Sequence, residues 1–262
     1  MSPHKLADFE TDHDLSRDNY DEQLDALQHR LELIQAAYIA QGLKAIVALE
    51  GWDASGKGGL VTRMSATLDP RYCKVWPISA PSREEAARHY LWRFWQRLPG
   101  NREIAVFDRT WYGRVLVERV DGFTPEPRWR AAYDEINAFE AQLLADGTRL
   151  VKIFLHITQD EQDRRLEERL KTPWKRWKTG KDDYHNRSMR SAYVAAYQDM
   201  FDQCSPAVAP WHVVAANDKK HARVRSLELI CDALGEGVDL SWPEPDAALV
   251  KIAEKALGKT LF

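Results

Sequence analysis

An apolar heptapeptide, Leu43 to Leu49 (LKAIVAL), runs directly into the glycine-rich stretch Glu50 to Gly59 (EGWDASGKGG), and this junction restricts the chain more than any other feature. A short, mostly apolar run has the character of a strand buried on both faces. Gly51, Gly56 and Lys57 then fall at the spacing G-x-x-x-x-G-K of a phosphate-binding loop. In a strand, loop, helix context the successive backbone N–H groups of Gly56 to Gly59 can point at one anion. The positive end of the following helix adds to the attraction, and Lys57 supplies a full charge. The pattern lacks its last element, because Gly58 stands where Ser or Thr would set a hydroxyl on magnesium. A glycine-rich turn without a ligand is the plain alternative: Gly58 favours it and the preceding strand opposes it.

Asp53 supplies what Gly58 omits. A carboxylate inside a phosphate-binding loop is repelled by its ligand unless a cation lies between them, and magnesium prefers hard oxygen ligands. Asp53 therefore reads as the metal contact, against the simpler use of Asp to cap a turn. The run EIAVFD ends at Asp108, the position where a strand-end acid meets the metal in phosphate-loop enzymes. Arg109, Arg114 and Arg119 follow at intervals of five, with Glu118 among them. Arg109, beside the strand end, is suited to a transferred or acceptor phosphate; Arg119 reads as a structural ion-pair partner.

Apolar residues at Leu24, Leu27, Leu31, Ile34 and Tyr38 predict an amphipathic helix over about 18–41, with Gly42 as its stop. Beyond the glycine loop, the runs CKVWPI, EIAVFD, LVKIFLHI and WHVVAA alternate with helical patterns. One helix is expected in EEAARHYLWRFWQRL, one over about 129–145 and one near 246–257. This alternation predicts an α/β fold with a central parallel sheet covered on both faces. One globular domain over 1–262 is expected, without internal repeat or low-complexity linker. Trp92 and Trp95 read as core or interface, and His156 and His212, inside strand patterns, as packed rather than catalytic.

The net charge of -3 is unevenly spread: Arg164 to Arg190 holds ten Lys or Arg against four acids. Such a run is ordinarily a solvated face laced with ion pairs. The sharper reading is a mobile segment, a lid over about 170–190, that meets phosphates, with Trp174 and Trp177 either packing the lid or excluding water. Three cysteines without a C-x-x-C pair argue against a disulfide framework or zinc. No apolar run reaches the roughly 18 residues of a membrane span, and the polar N-terminus is unlike a signal peptide. A cytoplasmic location follows as an expectation.

Together, GWDASGKGG, APSREEAARHYLWRFWQRLP, FDRTWYGRVLVERVDGF, WKRWKTGKDDYHNRS and VVAANDKKHARV resemble the polyphosphate kinase 2 family over about residues 20–235. The resemblance implies a three-layer α/β/α phosphate-loop kinase fold, similar to thymidylate kinase, with a helical lid. It implies magnesium-dependent phosphoryl transfer between inorganic polyphosphate and adenine or guanine nucleotides. Asp53, Lys57, Asp108 and Arg109 match the family's catalytic positions, with Asp53 and Asp108 on the metal. Gly51, Ser55, Gly56, Gly58, Gly59, Arg114, Glu118, Lys171, Lys178, Arg187 and Arg190 are the implied nucleotide and phosphate contacts. The form Trp111-Tyr112-Gly113-Arg114 looks most like the polyphosphate:AMP phosphotransferase branch, whose members often carry two such domains in one chain. A homo-oligomer is expected, with no nucleic-acid or membrane partner. Two rivals remain at this stage: an ATP-dependent kinase of a small metabolite, and a nucleotide-binding module without turnover.

Overall fold

The computed structural model describes residues 5–261 apart from 12, 14 and 243. All five apolar runs form strands: β1 (Lys44–Gly51), β2 (Cys73–Pro77), β3 (Ile104–Asp108), β4 (Thr148–His156) and β5 (Trp211–Ala215). They make one parallel sheet in the order β2-β3-β1-β4-β5. β1 lies between β3 and β4 and is buried from Ala45 to Gly51, as its unbroken apolar run requires. The register sets Leu49 opposite both Asp108 and Ile153, and Gly51 opposite Leu155. The glycine loop and Asp108 therefore emerge together at the carboxyl edge, where open α/β sheets bind ligands.

The helices are α1 (Arg17–Gln41), α2 (Lys57–Ser65), α3 (Arg83–Ala86), α4 (Trp92–Trp95), α5 (Val117–Val120), α6 (Glu126–Ala145), α7 (Gln159–Lys171), α8 (Lys181–Ser188), α9 (Arg190–Gln203), α10 (Lys219–Gly235) and α11 (Ala247–Leu257). α1, α2 and α10 pack together on one side of the sheet. α6 lies against β4 on the other side, joined there by α9, whose Tyr197 and Phe201 meet Phe154 edge-on. α1 is bounded as its sequence predicts. The Ser16 hydroxyl accepts the Asn19 N–H, Gly42 closes the helix at φ 72°, and Leu31, Ile34 and Tyr38 are buried. Tyr38 also ties α1 to α10, its hydroxyl donating to the Leu234 carbonyl at 3.0 Å.

The helix expected across EEAARHYLWRFWQRL is two short pieces, α3 and α4. Ser82 and Glu85 form a reciprocal capping box at the start of α3. Glu85 also accepts from Arg97 Nη2 at 2.8 Å and lies 3.5 Å from Arg93 Nε. The bend between the two pieces brings these guanidiniums back to Glu85 and turns Leu91 and Phe94 into the core. Trp92 is half-buried beneath Arg88, whereas Trp95 is 45% exposed with its ring edge-on to Phe139. All three cysteines are free and buried, and no helix among the described residues is long and apolar enough to cross a membrane.

Gly51 is the tightest point of the strand-to-loop passage. Its φ is 140°, and a Cβ there would sit 2.4 Å from the Leu155 carbonyl oxygen of the neighbouring strand. Backbone strain and overpacking of this kind each carry about 1–3 kcal/mol. Gly51→Ala should therefore lower unfolding free energy by more than about 2 kcal/mol in urea titrations, with an unchanged denaturant slope.

Candidate active site

Side chains hold every carbonyl of the glycine loop from Gly51 to Ser55. Lys57 Nζ donates to Gly51 O at 2.6 Å and Trp52 O at 3.1 Å. Gln162 of α7 donates to Asp53 O at 3.2 Å, and Arg165 Nη1 donates to Ala54 O at 3.0 Å and Ser55 O at 2.9 Å. The other amino group of Arg165 takes the Ala216 and Asn217 carbonyls beyond β5, so one buried guanidinium joins the loop to a second strand end. Gly56, at φ 119°, caps α2, and its carbonyl accepts the Gly59 N–H at 2.9 Å and the Leu60 N–H at 3.1 Å, so the Gly59 amide is not among those open to an anion. Gly58 borders open space, so its lack of a hydroxyl is not imposed by crowding. Ser55 is buried, and its hydroxyl has no hydrogen-bond partner among the described residues.

The charged centre lies beside the loop. Asp53 Oδ1 accepts from Arg109 Nη2 at 2.9 Å, and its Oδ2 accepts from Asn186 Nδ2 of α8 at 2.8 Å. Burial pushes the Asp53 pKa up, but the charges of Lys57 and Arg109 and the bonds from Asn186 and Arg109 outweigh it and hold the carboxyl below its ordinary value. Burial lowers the Lys57 pKa against the opposing pull of Asp108 and Asp53. For Arg109 the net direction is opposite: burial is again the largest influence and disfavours its charge, but Asp53, with Glu50 and Asp108, outweighs it and raises the pKa. Arg109 reaches Asp53 from a left-handed backbone at φ 66°. Its neighbour Thr110 is fixed by Glu50, which accepts both the Thr110 N–H and hydroxyl at 2.8 Å. Glu50 is buried, and that burial raises its pKa. Glu50 was not singled out from sequence, although an acid interrupting an apolar strand just before the loop was the available signal.

Asp53 and Asp108 both act on the Lys57 charge, and among the described residues no cluster of three or more His, Cys, Asp or Glu side chains could hold an ion unaided. That donor set fits magnesium, which takes one or two carboxylates and completes its shell with water and substrate phosphates.

The remaining sequence-predicted residues divide. Arg114 is tied to Glu118 at 2.8 Å and to Thr124, which donates to Glu118 at 2.7 Å. Arg119 pairs with Asp199 at 2.7 Å, as its structural reading expects. Lys171 pairs with Glu167 of its own helix and Arg187 with Asp163, both at 2.5 Å. Arg190 lies 3.9 Å from the Trp52 ring centroid and donates to Gln162 and the Ile157 carbonyl. Lys178 lines a cleft of about 210 Å³ floored by Ala54, Ser55 and Gly56. Arg165, Arg169, Lys175, Lys219 and Arg223 share that lining, with Glu168 as its one acid. Lys219 and Arg223 come from α10 and were missed in the sequence, because nothing local distinguishes them from solvated helix charges.

A parallel sheet with a glycine loop, a strand-end acid and a basic cleft defines a phosphate-handling α/β protein. The family model described as polyphosphate kinase 2 matches residues 14–238, and the chain belongs to that family. A polyphosphate:AMP phosphotransferase of Pseudomonas aeruginosa is 48% identical over 84% of this chain, which spans 44% of that relative's length. An AMP/ADP-polyphosphate phosphotransferase of Meiothermus ruber is 37% identical over 88% of the chain and 86% of the relative. The crystal structure of a polyphosphate kinase 2 from Arthrobacter aurescens superposes with a TM-score of 0.89 at 35% identity, covering 98% of this chain and 93% of that one.

His156, packed as expected, supports the loop from behind. Trp52 Nε1 donates to its Nδ1 at 2.9 Å, and its Nε2 faces Glu10 Oε1 at 3.3 Å. Burial, reinforced by Arg190 and opposed by Glu10, lowers its pKa from 6.5 to about 4. The unfolded chain then takes up a proton that the folded chain refuses, so stability falls as pH drops from 6.5 towards 4. The limit of this contribution is about 3 kcal/mol. Urea midpoints at pH 7 and pH 5 should differ more for the wild type than for His156→Gln; equal differences would remove His156 as the cause.

Proposed function

We propose that this chain is a magnesium-dependent phosphotransferase that moves a phosphoryl group between inorganic polyphosphate and a nucleoside mono- or diphosphate, with AMP as the first acceptor. The observation that carries this reading is the cleft above the glycine loop. Arg165 is committed to backbone carbonyls, but Arg169, Lys175, Lys178, Lys219 and Arg223 converge there, outnumbering the two acids that pair with them, Glu168 in the lining and Asp183 beside Arg169. A donor-side slot for an adenine ring calls for apolar or aromatic walls; among the described residues no aromatic side chain lines this cleft, and its cations, more numerous than Leu60, Leu155 and Ala222, suit a polyanion. Burial first, and then the neighbouring Arg165 charge, lowers the Lys219 pKa, a repulsion that bound phosphates relieve. The names of the Pseudomonas and Meiothermus relatives, both polyphosphate phosphotransferases acting on AMP or on AMP and ADP, support the same reading.

In the reaction, an oxygen of the acceptor's terminal phosphate attacks the end phosphorus of polyphosphate. The bond to the next phosphate breaks, and the shortened chain leaves with the electron pair. Such transfer asks a protein for alignment and charge neutralisation more than for a nucleophile. Loop amides and Lys57 hold donor oxygens, while Arg109, oriented by Asp53, faces the migrating group. Magnesium, held by Asp53 and Asp108, would neutralise phosphate charge. α8 acts as the lid, with Asn186 on Asp53 and His185 2.9 Å from Asp121. The rival ATP-dependent kinase and the non-catalytic module are excluded if polyphosphate, and not ATP, drives turnover of AMP.

Asp53→Asn and Asp108→Asn should each reduce turnover more than about a hundredfold, the scale of a lost electrostatic contribution to a transition state, with melting temperature little changed. Near-normal activity in either variant at ordinary magnesium refutes its role.

The cations of 164–190 should behave unequally. Lys178→Ala should raise KM for polyphosphate, and the affinity should weaken with salt, since screening acts within about 8 Å at physiological ionic strength. Arg187→Ala, losing a partner on α7, should leave KM for polyphosphate within about twofold, as an exposed pair is worth only about 0–1 kcal/mol. Equal responses of the two variants would return the segment to a solvated face.

A further inference from the structure

Behind the segment that carries Arg109 lies a buried ion pair with no role in the proposed reaction. Lys152 of β4 and Glu140 of α6 meet at 2.7 Å, with side chains 0% and 2% exposed. Glu140 Oε1 accepts from Trp111 Nε1 at 3.0 Å and from the Tyr112 hydroxyl at 2.7 Å. Lys152 Nζ donates to the same hydroxyl at 3.1 Å and to the Cys204 carbonyl at 2.8 Å. The ammonium also lies 5.4 Å from the Trp211 ring centroid. Trp111 and Tyr112 are both fully buried.

A buried ion pair is weak evidence for stability, because a well-packed apolar pair of similar volume often serves as well or better. What such a pair does supply is direction. Here the direction falls on two consecutive aromatic residues, three and four positions beyond Asp108. On the other side of that short segment, Glu50 takes the Thr110 N–H and hydroxyl. Arg109 sits at φ 66° between Asp108 and these three anchored residues. A left-handed arginine persists only where its surroundings over-determine the backbone.

We propose that the Glu140–Lys152 pair is a positioning device for Arg109: by holding Trp111 and Tyr112 it fixes the backbone path after β3 that turns the Arg109 guanidinium onto Asp53. The proposal rests on the role given to Arg109 above. Glu140 and Lys152 act through Trp111 and Tyr112 and need touch no substrate. Lys152 carries its charge for Glu140, and Glu140 carries its two acceptor contacts for the segment.

Two double variants and two readouts test it. Glu140→Gln with Lys152→Met removes both charges and keeps an oxygen for Trp111 and Tyr112; Glu140→Leu with Lys152→Met removes the acceptor as well. Amide hydrogen exchange over residues 109–116 reads the backbone path independently of activity. In the Leu/Met variant exchange there should accelerate by about tenfold or more while the β1 and β4 amides stay protected. Its kcat for polyphosphate-driven AMP phosphorylation should fall by about 30-fold or more, a loss of the size that a misplaced reacting group causes, with KM for polyphosphate within about threefold. The Gln/Met variant should match the wild type within about threefold in both readouts. Wild-type exchange in the Leu/Met variant, or acceleration to the same extent in both variants, overturns the proposal. So does an equal loss of kcat in both. If the Leu/Met variant does not fold, Tyr112→Phe removes only the hydroxyl and keeps the ring; accelerated exchange over 109–116 supports the proposal, and unchanged exchange overturns it. A wild type inert with polyphosphate and AMP defeats the functional reading alone, because the exchange comparison still decides the positioning role.

Discussion

The glycine loop depends on the occupation of its carbonyls. Between Gly51 and Ser55 each carbonyl accepts from Lys57, Gln162 or Arg165, so the oxygens face the protein, which in the proposed reaction would leave the first amides of α2 to the phosphate. Donors already aimed where negative charge will sit need little reorganisation when it arrives. The arrangement also explains why a loop with several glycines is not floppy. Lys57 and Arg165 are charged groups, and hydrogen bonds from charged donors are stronger than those between neutral groups. Arg165 extends the constraint across the sheet, since its second amino group holds the chain after β5. In the proposed reaction a phosphate would offer Lys57 a better acceptor than the Gly51 and Trp52 carbonyls it now holds.

In the proposed reaction the charge balance at the centre leaves a place for a divalent metal. Glu50, Asp53 and Asp108 act on Lys57, with Arg109 as the second cation. Three acids against two cations would repel a polyanion, unless burial keeps Glu50 protonated or a divalent ion joins the cluster. Burial, which raises the Glu50 pKa, works towards the first condition, and in the proposed reaction Asp53 and Asp108 would meet the second. Asp53 is at once the residue that Arg109 grips, the acceptor for Asn186 of α8 and the nearest substitute for the hydroxyl absent at Gly58. Gly58 has open space around it, so the loop has room for the usual hydroxyl, and in the proposed reaction the Asp53 carboxylate would take its place.

The sheet was legible because its strands are buried on both faces and therefore read as continuous apolar runs; all five runs are strands. The glycine loop and Asp108 were legible because their chemistry is local, within a few residues of a strand end. The helical pattern in EEAARHYLWRFWQRL misled, because the folding-back of Arg93 and Arg97 onto Glu85 is a tertiary choice that breaks a locally acceptable helix. Gln162, Arg165 and Asn186 were invisible as site residues for a related reason. Each acts on a partner far along the chain, and Arg165 in particular looks in sequence like one more cation in a basic run.

That run shows why a charge cluster is not a unit of function. Helical spacing sends successive side chains in different directions, so residues three and four apart share a face and their neighbours do not. On α7, Arg165 turns inward to the loop while Arg164 turns outward and is neutralised by Glu161 at 2.7 Å. Lys171 is neutralised in the same way by Glu167, and Arg187 of α8 by Asp163. Arg190 turns its charge under Trp52, where it supports the loop rather than meeting solvent. The cleft receives Arg169, Lys175 and Lys178 from the run and Lys219 and Arg223 from α10, with Lys175 and Lys219 sharing Glu168 and Arg169 lying 3.6 Å from Asp183. A net surplus of positive charge between Arg164 and Arg190 thus points to the right end of the molecule, but the residues that gather above the loop are selected by where β4 and β5 end.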